Sequence, residues 1–211
     1  MARVVIVCPM EIERKAIMPR VGCAVECCGP GPDRMRAYMR NVAHDAIVLL
    51  AGIAGGLTMD HGVPVISEVV DAGGARWTPP VRVGSGPGVR AVGVDAIVSS
   101  PQDKASLAQQ SGAAIVDCES HVFAQLASER GMQWGVVRAV SDGPSDHLPV
   151  EAARWVTDLG GVALGAVLVD MLRRPSLIGA AMTMRRQSSA ALESLREALA
   201  EYCAGHEGTL E

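Results

Sequence analysis

Aromatic side chains are scarce in this 211-residue chain: one Phe, two Tyr and three Trp make up 3% of it. That leaves no platform on which to stack the bases of a single strand. A basic excess is missing as well. Nineteen Lys and Arg stand against 23 Asp and Glu, a net charge of −4 with a pI near 5.7, so no nucleic-acid partner is expected. No run approaches the ~18 uninterrupted apolar residues of a membrane span. The first apolar run, Val4 to Val7, is short and followed by Glu11 and Glu13, so it reads as a β-strand and not as a secretory leader. The six cysteines (Cys8, Cys23, Cys27, Cys28, Cys118 and Cys203) lack the paired C-x-x-C spacing of a zinc site, and no histidine cluster completes one. Reduced, mostly buried thiols in a cytoplasmic protein are the expectation, with no metal and no cofactor.

What is present is an ordinary globular balance, 49% apolar and 20% charged, with a core to be built from Val, Ala, Leu, Ile and Met. One domain over residues 1–211 suits this length, with 162–204 as C-terminal helices packed on it. Strand-length apolar runs fall at Arg3–Cys8, Ala24–Cys28, Arg36–Val42, Ala46–Leu50, Val63–Val70, Val89–Val98, Ala113–Val116 and Gly135–Val140. Several are Val/Ile-rich without alternation, as in strands covered on both faces. Helical patterns fall at Glu11–Pro19, Gly55–His61, Gln102–Gln110, Glu119–Arg130, Val162–Arg173 and Ser176–Ala204. The interleaving predicts an α/β fold, three layers with helices on both sides of a central mixed sheet. Gly29-Pro30-Gly31-Pro32-Asp33 reads as a tight connection between strands, and Gly84 to Gly88 as a mobile loop.

In such folds ligands sit where loops leave the carboxyl ends of strands, and four ends here are chemically unusual. After the first strand, Met10, Glu13 and Ile17 share one face of a helix, so a carboxylate points with apolar neighbours. After the strand ending at Leu50, Ala51-Gly52-Ile53-Ala54-Gly55-Gly56-Leu57 lets backbone approach a ligand, although it is neither a Rossmann nor a Walker loop. Val116-Asp117-Cys118-Glu119-Ser120 opens a helix whose stripe Glu119, Val122, Phe123 and Leu126 is headed by a carboxylate. The buried-looking strand Trp134–Val140 ends in Ser141-Asp142-Gly143-Pro144, which sets Asp142 at the sheet's edge. Each has a plainer reading: a dipole-stabilised Glu, glycines for packing, a capping Glu and a turn Asp.

Taken in this order, the four segments resemble the nucleoside phosphorylase and nucleosidase superfamily, which cleaves N-glycosidic bonds. Val5 to Glu13 matches the family's strand and M-E-x-E; Gly-Ile-Ala-Gly-Gly-Leu matches its glycine turn. Asp117-Cys118-Glu119-Ser120 is similar to its E-M-E-A, and Val137-Arg138-Ala139-Val140-Ser141-Asp142 to its V-R-A-I-S-D. Val70 to Trp77, Ser100-Pro101-Gln102-Asp103-Lys104 and Leu172-Arg173-Arg174-Pro175 further resemble the hopanoid-associated phosphorylases, taken to remove adenine from adenosylhopane. The resemblance implies a partly barrel-like sheet and a homodimer. It implies Asp142 as the general acid that protonates the purine N7, for which it must carry a proton near neutrality. Glu13 would orient and deprotonate the attacking water, and Glu119 would hold the ribose hydroxyls. Ser141 would fix the Asp142 rotamer, Cys118 would floor the ribose, Gly52, Ile53 and Met10 would line the site, and Val98 and Ser99 would flank the base. Val98 departs from the aromatic residue usual there.

Water is expected as the acceptor in preference to phosphate, because Ile53 stands where phosphorylases place a hydroxyl donor and Glu13 would repel an anion. Arg14 and Arg138 are the residues that would favour phosphate. Alternative substrates are methylthioadenosine, adenosylhomocysteine and futalosine, and a non-catalytic nucleoside-binding protein is the reading from another class. Arg173, Arg174, Arg185 and Arg186 beside Met182, Met184 and Leu192 make the last helix a candidate for peripheral membrane contact, against the plainer solvated helix with an apolar inner stripe. Asp142, Asp146 and His147 suggest a cap and a surface histidine more than a metal site.

Overall fold

Alternate residues of the first strand serve two different cores. In a computed structural model, which describes residues 3–207, β1 (Val4–Cys8) turns Val5 and Val7 to one face of a sheet and Val4, Ile6 and Cys8 to the other. It is followed by α1 (Glu11–Ile17), β2 (Ala24–Cys27), α2 (Pro32–Met39), β3 (Ile47–Gly56), β4 (Val65–Asp71), β5 (Arg76–Trp77), β6 (Gly88–Gly93), α3 (Pro101–Ser111), β7 (Ile115–Asp117), α4 (Ser120–Glu129), β8 (Gln133–Asp142), α5 (Leu164–Arg173) and α6 (Leu177–Glu207). The first core holds Met35 and Met39 of α2 and Phe123, Ala124 and Ala127 of α4, with Phe123 edge-on to Trp134 at 5.9 Å. The second holds Ile17 of α1 and Leu192, Leu195 and Leu199 of α6. Three layers result, because β1, β3 and β8 are apolar on both pleated faces and each face needs its own helices.

The sheet is mixed, in the order β2-β1-β3-β7-β6-β4-β5, with β8 on the other side of β3. β3 is the long central strand. Its first half pairs with β1 in parallel, its end pairs with β7 antiparallel, and β8 runs beside it from Ile47↔Gln133 to Gly55↔Asp142. Two segments expected otherwise follow from this. Gly55–His61 does not form a helix, because β3 continues through Gly56 with strands on both sides. Its small residues are what close packing between neighbours allows. Arg36–Val42 is not a strand: Pro32 at the first helical position starts α2, and Met35 and Met39, four apart, bury on one stripe. Gly29 to Asp33 therefore leads into a helix and not into a strand.

Cys23 and Cys203, 180 residues apart, are joined in a disulfide, which corrects the expectation that all six thiols are free. The approach to β2 lies against the end of α6, with Cα atoms 6.3 Å apart, a neighbourhood that sequence spacing does not disclose. Among the described residues no helix is long and apolar enough to cross a membrane.

Candidate active site

Asp142 closes β8. A bulge in the β3–β8 register between Ala54 and Gly55 brings it opposite Gly55, where a Cβ would stand 3.3 Å from Asp142 Oδ2. The carboxylate is nearly buried, at 7% exposure. Ser141 Oγ donates to Asp142 Oδ1 at 2.8 Å. Asp142 is not isolated. Lys104, wholly buried on α3, donates from Nζ to Asp142 Oδ2 at 2.6 Å. Ser100 caps α3 by accepting from Asp103 N, with Pro101 in the first helical position, so the helix begins where its second turn carries Lys104 beneath the strand end.

Glu13 is 1% exposed, and its two oxygens are fixed by backbone donors: Met10 N to Oε2 at 2.9 Å and Ile53 N to Oε1 at 2.9 Å. The first bond is the return half of a capping box, because Glu13 stands three residues after the Met10 cap. Burial pushes its pKa up to about 7. Arg138 and the two N–H donors oppose that shift, and Glu119 adds to it. Gly52 lies behind this carboxylate and does not line the cavity. A Cβ there would overlap Arg138 Nη1 and stand 2.5 Å from Glu13 Oε1, so only glycine lets the strand pass between them.

Arg138, in the middle of β8, is also 1% exposed. Its Nε donates to Asp117 Oδ2 at 3.0 Å and its Nη2 lies 3.4 Å from Glu119 Oε2. Burial works against its charge, but Asp117, Glu119 and Glu13 outweigh it and hold the guanidinium above its ordinary pKa. Asp117 Oδ1 accepts from the N–H groups of Glu119 and Ser120 and so starts α4. Glu119 Oε1 accepts from Gly31 N at 2.9 Å, which ties the α2 entry loop to the site. Burial raises the Glu119 pKa and Arg138 draws it back. Burial also pushes the Cys118 thiol up to about 12, so it presents a neutral, weakly polar surface.

These groups surround a cavity of about 870 Å³. Met10, Glu13, Ile53, Val98, Ser99, Cys118, Glu119, Ser141 and Asp142 all line it, although they come from five stretches of chain. Leu148 N donates to Ser99 O at 2.9 Å, which locks the loop after β6 to the loop after β8. Of the wall that sequence reasoning did not assign, one side is largely apolar, with Leu148, Pro149, Ala152, Val156 and Met184, while Asp95, Thr157, Asp158 and Gln187 add polar groups. Asp146 accepts from Gly143 N and from Gln187 Nε2, holding α6 over the cavity; its carboxylate is a turn cap. Lys104 and Asp117 were also missed. The only signal for either was an acid or a lysine near a strand end, with nothing to say what it met.

Neither arginine named for phosphate is free. Arg138 is clamped by carboxylates, and Arg14 donates twice to Glu11 at 2.7 Å. Arg34, exposed at the start of α2, reaches the cavity rim.

The mixed sheet with helices on both faces is a fold shared with solved nucleosidase structures. Residues 87–173 match the family model described as the Phosphorylase superfamily. No curated protein matches the sequence. Among solved structures, futalosine hydrolase of Helicobacter pylori is 13% identical with a TM-score of 0.67, over 97% of this chain and 98% of that one. The 5′-methylthioadenosine/S-adenosyl homocysteine nucleosidase (MTAN) of the same organism, complexed with a pyrrolidine-based ligand, gives the same values. An MTAN from Chlamydia trachomatis with adenine bound is 10% identical at a TM-score of 0.67, over 97% and 99%. At such identities the likeness defines the fold.

Proposed function

We propose that this protein hydrolyses the N-glycosidic bond of a purine nucleoside and releases the free base. The observation that carries this reading is the convergence of Glu13, Glu119 and Asp142 on one cavity from three distant segments. Glycoside cleavage needs a proton for the departing group, an activated nucleophile and support for an oxocarbenium-like sugar. Asp142 supplies the proton to the base, Glu13 takes one from the attacking water, and Glu119 accepts from the ribose hydroxyls. Val98 and Ser99 flank the base and Cys118 floors the sugar.

Two observations favour water over phosphate. Ile53 offers no hydroxyl at the glycine-rich strand, and Arg138 is already satisfied by Asp117 and Glu119. An anion would have to approach Glu13 without a guanidinium from β8 to meet it. Adenine release is therefore expected to run at the same rate with and without phosphate, measured as free base by chromatography. A strict phosphate requirement would reassign the site to a phosphorylase.

For the substrate, the cavity lies near the upper end of the ~300–1,000 Å³ usual for small molecules, and one side of its unassigned wall, from Leu148 to Val156 with Met184, is largely apolar. Both suit an adenosine with a bulky apolar 5′ substituent, such as adenosylhopane, better than the shorter methylthio or homocysteinyl groups. A panel of 5′-substituted adenosines should show kcat/KM rising with apolar length.

Contact with a membrane fits α5 better than α6. Asp170 faces inward on α5, bonded by Trp155 Nε1 at 2.8 Å, while Leu164, Leu168 and Leu172 form an exposed stripe with Arg173 and Arg174 at its end. A second copy of this chain is the alternative occupant of the face, since the resemblance implies a homodimer. Flotation with anionic vesicles is expected to carry the wild-type protein and to lose it in Leu168→Glu. Sedimentation showing a dimer that dissociates in Leu168→Glu would give the face to a second copy instead.

A further inference from the structure

Lys104 takes no part in the chemistry set out above, yet it is the most completely enclosed charge at the site. Its ammonium has three hydrogens and three acceptors: Asp142 Oδ2 at 2.6 Å, Gly143 O at 2.6 Å and Asp146 O at 3.3 Å. The side chain is 0% exposed. Two of the acceptors are carbonyl oxygens, and only Asp142 is able to take a proton. Ser141 Oγ, the other donor on that carboxylate, is a much weaker acid than an ammonium.

We infer that Lys104 is a positioning residue that loads Asp142 with the proton delivered to the purine. The inference rests on the hydrolytic reading above and deepens it. One N–H bond of the ammonium breaks as an O–H bond forms on Asp142. That O–H breaks in turn as an N–H bond forms on the base, which leaves with the electron pair of the glycosidic bond. The attacking water bonds to the sugar carbon and gives its proton to Glu13. Lys104 ends neutral and Glu13 protonated; once the cavity empties, a solvent proton returns to Lys104 through Asp142 and Glu13 releases its own, because both carboxyls line the cavity and Lys104 does not.

The cage fits both ends of this transfer. A neutral amine keeps two N–H groups, which match the carbonyls of Gly143 and Asp146, while its lone pair faces Asp142. A protonated Asp142 beside a retained ammonium would instead leave a buried cation without a counter-ion, so the two transfers are coupled.

The test compares Lys104→Met and Lys104→Arg on two substrates. 5′-Methylthioadenosine needs a protonated leaving group, whereas 4-nitrophenyl β-D-ribofuranoside leaves as a phenolate and does not. Lys104→Met is expected to lower kcat on methylthioadenosine by about 10²–10³-fold with KM within about threefold, and to change nitrophenyl riboside cleavage by less than about fivefold. Lys104→Arg keeps the charge but releases no proton, so it should remain as slow on the purine nucleoside. Wild-type rates in Lys104→Met, parallel loss on both substrates, or recovery in Lys104→Arg would each overturn the inference and leave the hydrolytic reading standing. A wild-type protein that cleaves neither substrate would remove that reading, and this inference with it.

Discussion

Asp142→Asn is expected to slow base release by about 10²–10⁴-fold while leaving affinity for free adenine within about tenfold. The amide matches the carboxylate in shape but holds no transferable proton, so the loss should fall on kcat. A second effect accompanies it. Lys104 Nζ sits 2.6 Å from Asp142 Oδ2 in a wholly buried position, and the substitution strands that ammonium without its counter-ion. Breaking one partner of a buried pair costs about 3–5 kcal/mol. Urea unfolding measures this term, and calorimetric titration with adenine separates it from catalysis. Base release at the wild-type rate would remove Asp142 from the mechanism.

Glu13→Gln should have a comparable effect on rate, about 10²–10⁴-fold, and should also abolish one limb of the pH profile. Burial raises Glu13 from its ordinary 4.5 to about 7, although Arg138 and two backbone N–H groups pull the other way. Its ionised form is the base, so wild-type kcat/KM should climb as pH rises through about 7. The glutamine variant should lack that climb. Stability moves in the opposite direction. A carboxyl whose folded pKa is raised favours the folded state fully below pH 4.5, and that contribution disappears as pH rises through about 7. Glutamine does not titrate. The stability of the wild-type protein relative to Glu13→Gln should therefore fall by about 3 kcal/mol between those limits. A flat difference, or an acid limb that persists in the variant, would show that Glu13 does not titrate as the base.

Much of the site was legible because its residues announce themselves locally. Met10 and Ile17 flank Glu13 at helical spacing, which puts a carboxylate on an apolar face wherever that helix packs. Ser141 and Asp142 follow a strand too apolar to be exposed, so their position at the sheet edge needs no long-range information. The errors have local causes as well. The glycines of 51–56 suggested a turn, yet in β3 they are small because Glu13 and Arg138 press against Gly52, Asp142 against Gly55, and the Met59 carbonyl and Val140 against Gly56. Residues 36–42 carry β-prone Tyr and Val, but Pro32 and the Met35/Met39 pair decide for a helix.

The chain's own order of residues determined the layers of the fold, the two apolar faces of each central strand and the identity of three converging acids, because periodicity and strand ends are properties of neighbours. The pairing of Lys104 with Asp142, the clamp of Asp117 and Glu119 on Arg138, the Cys23–Cys203 bond and the apolar wall contributed by α6 were decided only by tertiary structure. Each joins groups 19 or more residues apart, and the energy that selects them arises from burial, which exists only once the chain has closed around them.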